Sequence, residues 1–266
     1  VRIFVAVAAL MATLASPAFG QERAPDPVPI EEWSTDKVSA MGLAIHRQDV
    51  AAWVSTDALM AHLEGAQPPA RMAGWIVVED GDDQRVRYVR RDDAGVLKAA
   101  FDVVVRDGRA GAVEVVDEVL SESEKAHFQA RQTAIENIGR LRCSQRLNTV
   151  VLDDPDSDGW LVWLLTPTPE SRAIPIGGHY RFTISADGAS VLRRDQLSNG
   201  CFFADRPPAD VQDAMLFYTQ IVSQGPVETH VFLSIQNQMT LVIMAGERYF
   251  AVGGARISDI TDMVNQ

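Results

Sequence analysis

The spacing of apolar side chains changes period several times along this chain, and each change marks a new element. From Thr35 onward, Val38, Met41 and Ile45 recur at three- and four-residue intervals, which predicts a helix continuing to Ala52-Trp53. Asp57 offers a cap for a second short helix over 58–64, with Gly65 as its stop. After Gln67-Pro68-Pro69 the pattern shifts to short β-forming runs divided by Asp/Gly turns, at 74–78, 85–91, 96–105 and 112–119. Such spacing predicts an antiparallel meander. Ser121-Glu122-Ser123-Glu124 then forms a capping box, and it opens a helix over 122–138 that Gly139 ends. Phe128, Ile135 and Ile138 fall on one arc of that helix, which suits packing on a sheet.

Four more strands follow at 147–152, 160–166, 179–185 and 190–194. The run Trp160–Leu165 is apolar on both faces and reads as an interior strand. Arg206-Pro207-Pro208 breaks the sheet, and Asp210 offers a cap for a short helix to Tyr218. The chain finishes with strands at 227–236, 239–244 and 248–252, and no internal repeat is visible in the residues. The fold class is α+β, dominated by antiparallel sheet, with N-terminal helices and one capped helix at about 122–138 packed on the sheet.

The N-terminal residues predict an address. Arg2 precedes an apolar run from Ile3 to Leu14, and Ala18-Phe19-Gly20 supplies the small residues expected before a signal-peptidase cut at Gly20/Gln21. The run is too short for a bilayer, which needs roughly 20 residues. The expected organisation is a signal peptide over 1–20, an extended arm over 21–33 marked by Pro25, Pro27 and Pro29, and one domain over 34–266, with a candidate sub-boundary near residue 140. The mature chain is expected to be periplasmic or extracellular and not inserted in a membrane.

Composition narrows the partners. A net charge of −12 without clustered Lys and Arg argues against nucleic acid. The two cysteines, Cys143 and Cys201, form an even count in a chain with an export signal, so a disulfide between them is expected. No CxxC is present, and no cofactor motif: Gly177-Gly178 and Gly253-Gly254 lack a phosphate-binding context.

Three places carry candidate chemistry. Asp154, Asp156 and Asp158 match the opening of a calcium loop, but the position that should hold a bidentate glutamate is Leu165, so an acidic turn is the simpler reading. Strand alternation at 179–185 places His179 and Arg181 on a polar face, and alternation at 227–236 places Glu228, His230 and Ser234 together, with Phe232 interrupting the second face. If the two faces met, His179, Arg181, Glu228 and His230 would make an anion or substrate site. Otherwise each is a solvated sheet face. His46, His62 and His127 lie among polar neighbours on helices and are expected to be exposed, and the five tryptophans are expected in the core. Ser34-Thr35-Asp36-Lys37 matches S-x-x-K without its companion motifs, so Ser34 or Thr35 reads as a helix cap.

The reading these features favour is a non-enzymatic exported protein that binds a small ligand or an envelope partner through a sheet face. A hydrolase using His179 or His230 with a carboxylate, and a calcium-stabilised structural protein, are the alternatives.

Overall fold

A helix followed by an antiparallel meander recurs three times among the described residues, which in this computed structural model are 29–66, 69–170, 172–208 and 214–266. The first unit is α1 (Thr35–His62) with β1 (Met72–Asp80), β2 (Asp83–Arg91), β3 (Leu97–Arg106) and β4 (Arg109–Val119), paired in chain order. The second is α2 (Glu122–Glu136) with β5 (Asn148–Asp153), β6 (Trp160–Leu165), β8 (Tyr180–Ile184) and β9 (Val191–Gln196), again in chain order. A two-stranded ribbon of β7 (Ile174–Pro175) and β10 (Phe203–Ala204) flanks it. The third is α3 (Glu228–Asn237) with β12 (Thr240–Ala245), β13 (Arg248–Gly253) and β14 (Arg256–Asp259), followed by the short α4 (Thr261–Val264). β11 (Met215–Gln220) precedes α3 and joins this third sheet at its edge, parallel to β12. The fold is α+β with antiparallel sheet, as the residue pattern implies. The recurrence is one of topology, so it leaves no repeat in the residues.

α1 is one continuous helix where the sequence suggests two. Its buried residues Val38, Gly42, Ile45, Ala51, Ser55 and Leu59 keep helical spacing past Asp57, so packing holds the helix through the position that could have started a new one. Ser34 caps it, accepting the Lys37 N–H at 3.3 Å. α1 packs on the first meander and against α3, where a Cβ on Gly42 would collide with Val231. α2 carries the expected capping box: Ser121 Oγ accepts the Glu124 N–H (3.3 Å), and Glu124 accepts the Ser121 N–H (2.8 Å).

Two elements differ in kind from the expectation. The segment expected as a strand at 227–236 is α3. Residues Glu228–Ser234 are all buried, because α1, β12 and β13 pack around them. A helix enclosed on several sides needs few polar positions, so its period is faint and β-branched content misleads. Conversely, Met215–Gln220 is strand rather than the end of a helix, and the proposed cap at Asp210 lies outside the described residues. Aromatic and β-branched side chains between a Pro-Pro break and Gly225-Pro226 favour that strand.

β6 is interior to its sheet, and that sheet is covered on both faces. α2 covers Val151, Val162, Leu164, Tyr180, Phe182 and Ile184. The opposite face, with Val150, Leu161, Trp163 and Leu165, joins the core shared with α1, α3 and Ile30 of the arm. The polar side of β8 is therefore not solvated, which decides the fate of Arg181.

Candidate functional site

Of the four polar residues expected to converge, Arg181 and Glu228 pair with each other, in the interior, while His179 and His230 are buried on other partners. Arg181 reaches from β8 between two carboxylates: Nη2 donates to Asp195 at 2.7 Å, and Nη1 lies 3.2 Å from Glu228 at the start of α3. Nη2 also donates to the Glu31 carbonyl at 2.7 Å, and the guanidinium stacks 3.7 Å from the Trp33 ring centroid. Trp163 Nε1 donates to Glu228 at 2.8 Å. Arg181 is 1% exposed and Glu228 0%. A buried charge is tolerated only when its partners replace water, and here every arm of the guanidinium has one. Arg181 thus binds the arm, the second sheet and α3 to each other. Asp195, Glu31 and Trp33 carry no motif that could have announced this role.

Both histidines are fixed as neutral structural groups. His179 Nδ1 accepts the Thr166 N–H (3.1 Å), while Nε2 donates to the Pro175 carbonyl (2.9 Å). His230, the third residue of α3, accepts the Val227 N–H at 3.0 Å, the service a glutamate renders in a capping box. Burial lowers the His179 imidazole to about 4. Burial, aided by neighbouring His179, lowers His230 to about 3. The Nδ1 lone pair a general base would use is already engaged in each ring. His127 corrects the expectation of exposure. It is buried because α2 packs on β5 and β6, stacks on Trp160 with ring centroids 5.1 Å apart, and has Nε2 3.3 Å from the Val151 carbonyl. Burial lowers it to about 4.

The acidic loop is a turn held by its own side chains. Asp154 accepts the Asp156 N–H (3.0 Å) and the Ser157 hydroxyl (2.7 Å), and Asp156 pairs with Lys37; Asp158 adds no third partner. Among the described residues no group of three or more His, Cys, Asp or Glu side chains is placed to hold a metal.

Open space lies elsewhere. A cleft of about 420 Å³ runs between β11 and the segment 197–202, with His230 and Tyr218 at its inner end and Phe202, Phe217 and Ile221 on its rim. Among the described residues no lining side chain is Asp, Glu, Lys or Arg. The Cys143–Cys201 disulfide, with Cα atoms 5.4 Å apart, anchors its far bank, as the even cysteine count implies. Gly178 (φ +86°) allows that approach, since a Cβ there would strike Cys143 Sγ. A hollow of about 510 Å³ between α1, β1, α2 and β5 is larger, but Arg47 there is paired with Glu79 and Glu124 with Arg87. Sequence reasoning missed the cleft because β11 was read as helix.

No protein-family model matches this chain, and no curated protein matches it. One solved structure, the Bacillus megaterium YpeB C-terminal domain, aligns over 66% of this chain and 70% of its own at 9% identity, with a TM-score of 0.16. That likeness is too slight for the fold or role of one to inform the other. No helix among the described residues is long and apolar enough to cross a membrane.

Proposed function

We propose that this is an exported, non-enzymatic binding protein whose ligand occupies the cleft beside β11. The observation that carries the reading is the cleft's lining, uncharged among the described residues, under an apolar rim, with Phe217 61% and Phe202 47% exposed. Ligand sites are concave, mostly apolar and oriented by a few polar groups, and this cleft has that character. Of the two titratable groups that line it, His230 is engaged in capping α3, which favours binding over catalysis, while the buried Tyr218 hydroxyl has no hydrogen-bond partner among the described residues. The disulfide favours an oxidising compartment, in keeping with the leader expected over residues 1–20, which lie outside the described residues.

Titration with the neutral apolar dye Nile red tests the cleft. The expected result is a saturable fluorescence rise at one dye per protein. A Phe202→Glu/Phe217→Glu variant should weaken it at least tenfold, while Trp53→Glu on the exposed side of α1 should leave it unchanged. Equal binding by both variants would move the site elsewhere. For the compartment, cell fractionation and mass analysis should find a chain beginning at Gln21 outside the cytoplasm, and a full-length cytoplasmic product would refute export.

A further inference from the structure

The pairing of β11 with β12 decides which way the edge amides point. Thr240 N–H donates to the Ala214 carbonyl at 3.4 Å, and successive peptide groups of a strand alternate in direction. The N–H and C=O groups of Met215, Phe217 and Thr219 therefore face away from β12. None of them has a hydrogen-bond partner among the described residues. Residues 217–221, side chains of both faces included, line the cleft, so it runs alongside the backbone rather than over one face of the sheet.

The opposite bank is fixed. Ser198 Oγ accepts the Gly178 N–H (2.7 Å), Phe202 O accepts the Ile176 and Gly177 N–H groups (2.9 and 3.1 Å), and the disulfide ties Cys201 down. Gln220 Nε2 closes the floor on the Leu197 carbonyl at 3.2 Å. The result is a slot with one wall made of a strand edge that is unpaired among the described residues. Natural edge strands are usually blunted by charge, proline or a bulge. Met215–Gln220 carries no charge and no proline, and its register with β12 is unbroken.

We infer that the slot takes an extended, uncharged peptide segment of another protein, which adds as a further strand beside β11. This rests on the reading of the cleft as the binding site and names its ligand class. Outward donor–acceptor pairs recur along β11 every two residues, about 6.8 Å, a repeat that another extended peptide matches. A charged side chain entering the slot would lose water and find no counter-ion among the described residues, which selects against charged segments. The chain's own arm is a poor occupant: Ile30 N–H pairs with the Val222 carbonyl just past the end of β11, and Pro25, Pro27 and Pro29 before it have no N–H to continue.

The probe is an end-blocked, fluorescein-labelled ten-residue peptide of alternating Thr and Val with one central Phe, followed by fluorescence anisotropy. Saturable binding is expected, at least tenfold weaker when alternate amides of the peptide are N-methylated. Thr219→Pro removes an outward N–H from an edge strand, where proline is tolerated, and should weaken binding at least tenfold with an unchanged circular dichroism melt. If that variant fails to fold, Gly200→Phe serves, because a Cβ at Gly200 meets open space in the slot. Equal binding of the methylated peptide, or no peptide binding while Nile red still binds, would overturn strand addition and leave the cleft reading intact. Loss of both dye and peptide binding would overturn both. Concentration-dependent dimerisation that Thr219→Pro abolishes, without peptide binding, would assign the edge to a second copy and refute the inference.

Discussion

Arg181 and Glu228 lie 47 residues apart in the chain and form an ion pair at 3.2 Å that water does not reach. The pair connects β8 to the first turn of α3, and through the Trp33 ring it also ties in the arm, so that the arm, the second sheet and α3 are joined by side chains. Removing one partner of such a pair leaves the others charged and dry, which costs about 3–5 kcal/mol. Arg181→Met should therefore lower stability by that order in urea unfolding, and Glu228→Gln, which keeps an acceptor for Trp163, by less. A loss under about 1 kcal/mol for Arg181→Met would show the network to be incidental.

The disulfide spans 58 residues, and closing a loop of that length stabilises by about 4 kcal/mol in the chain-entropy model. Thiol titration of the denatured, unreduced protein should find no free thiol. Cys143→Ser/Cys201→Ser should melt lower and also weaken Nile red binding, because the far bank of the cleft is released. Unchanged dye binding in a folded double variant would separate the bond from the site.

Acid should destabilise the fold before it titrates the ordinary carboxylates. An unfolded imidazole binds a proton near 6.5, whereas His127, His179 and His230 do so at about 4, 4 and 3 in the folded chain. Between those values the unfolded state binds more protons, so stability rises with pH over this window and falls on acidification from 6.5. Asp49 opposes this: burial raises it to about 6, and its contribution falls as pH rises from 3.8 to 6. His46 is lowered by burial as well, so four imidazoles act against one carboxylate; the melting temperature should be lower at pH 4.5 than at pH 7, and Asp49→Asn should steepen the slope. A flat or inverted profile in a fluorescence melt would contradict the assigned neutral imidazoles.

The capping box of α2 extends into a charge cluster. Glu124 accepts the Ser121 N–H and also Arg87 Nη1 at 2.7 Å, while Arg87 binds Asp102 at 3.0 Å and pairs with Glu118. Ser121→Ala should cost about 1 kcal/mol, the worth of one cap. Glu124→Ala removes the reciprocal cap and one partner of a mostly buried arginine, so it should cost more. Chemical denaturation of the two variants side by side checks the order, and equal losses would show that the Arg87 contact adds nothing.

Local signals were strong where they acted within a few residues. The Ser121/Glu124 box, the Asp/Gly turns of the first meander and the both-face apolar run at Trp160–Leu165 depend on neighbours in sequence, and each element stands close to where the pattern puts it. The two cysteines also announced their pairing, since compartment chemistry and an even count leave few options. α3 and β11 were misread because burial erased the period of one, and the other forms only by laying its edge on β12.

The chain by itself determined the α+β class, the disulfide and a set of polar residues worth watching. Only the tertiary structure decided what those residues do. His179, Arg181, Glu228 and His230 were identified from strand alternation, yet Glu228 and His230 sit on a helix and all four are buried. Covering both faces of the second sheet turned a presumed solvated face into the interior, where charge survives only in partnership. The same packing left β11 as an edge unpaired among the described residues, beside a disulfide-held bank. Sheet order is set by contacts between distant segments, so the cleft had no signature in residue spacing.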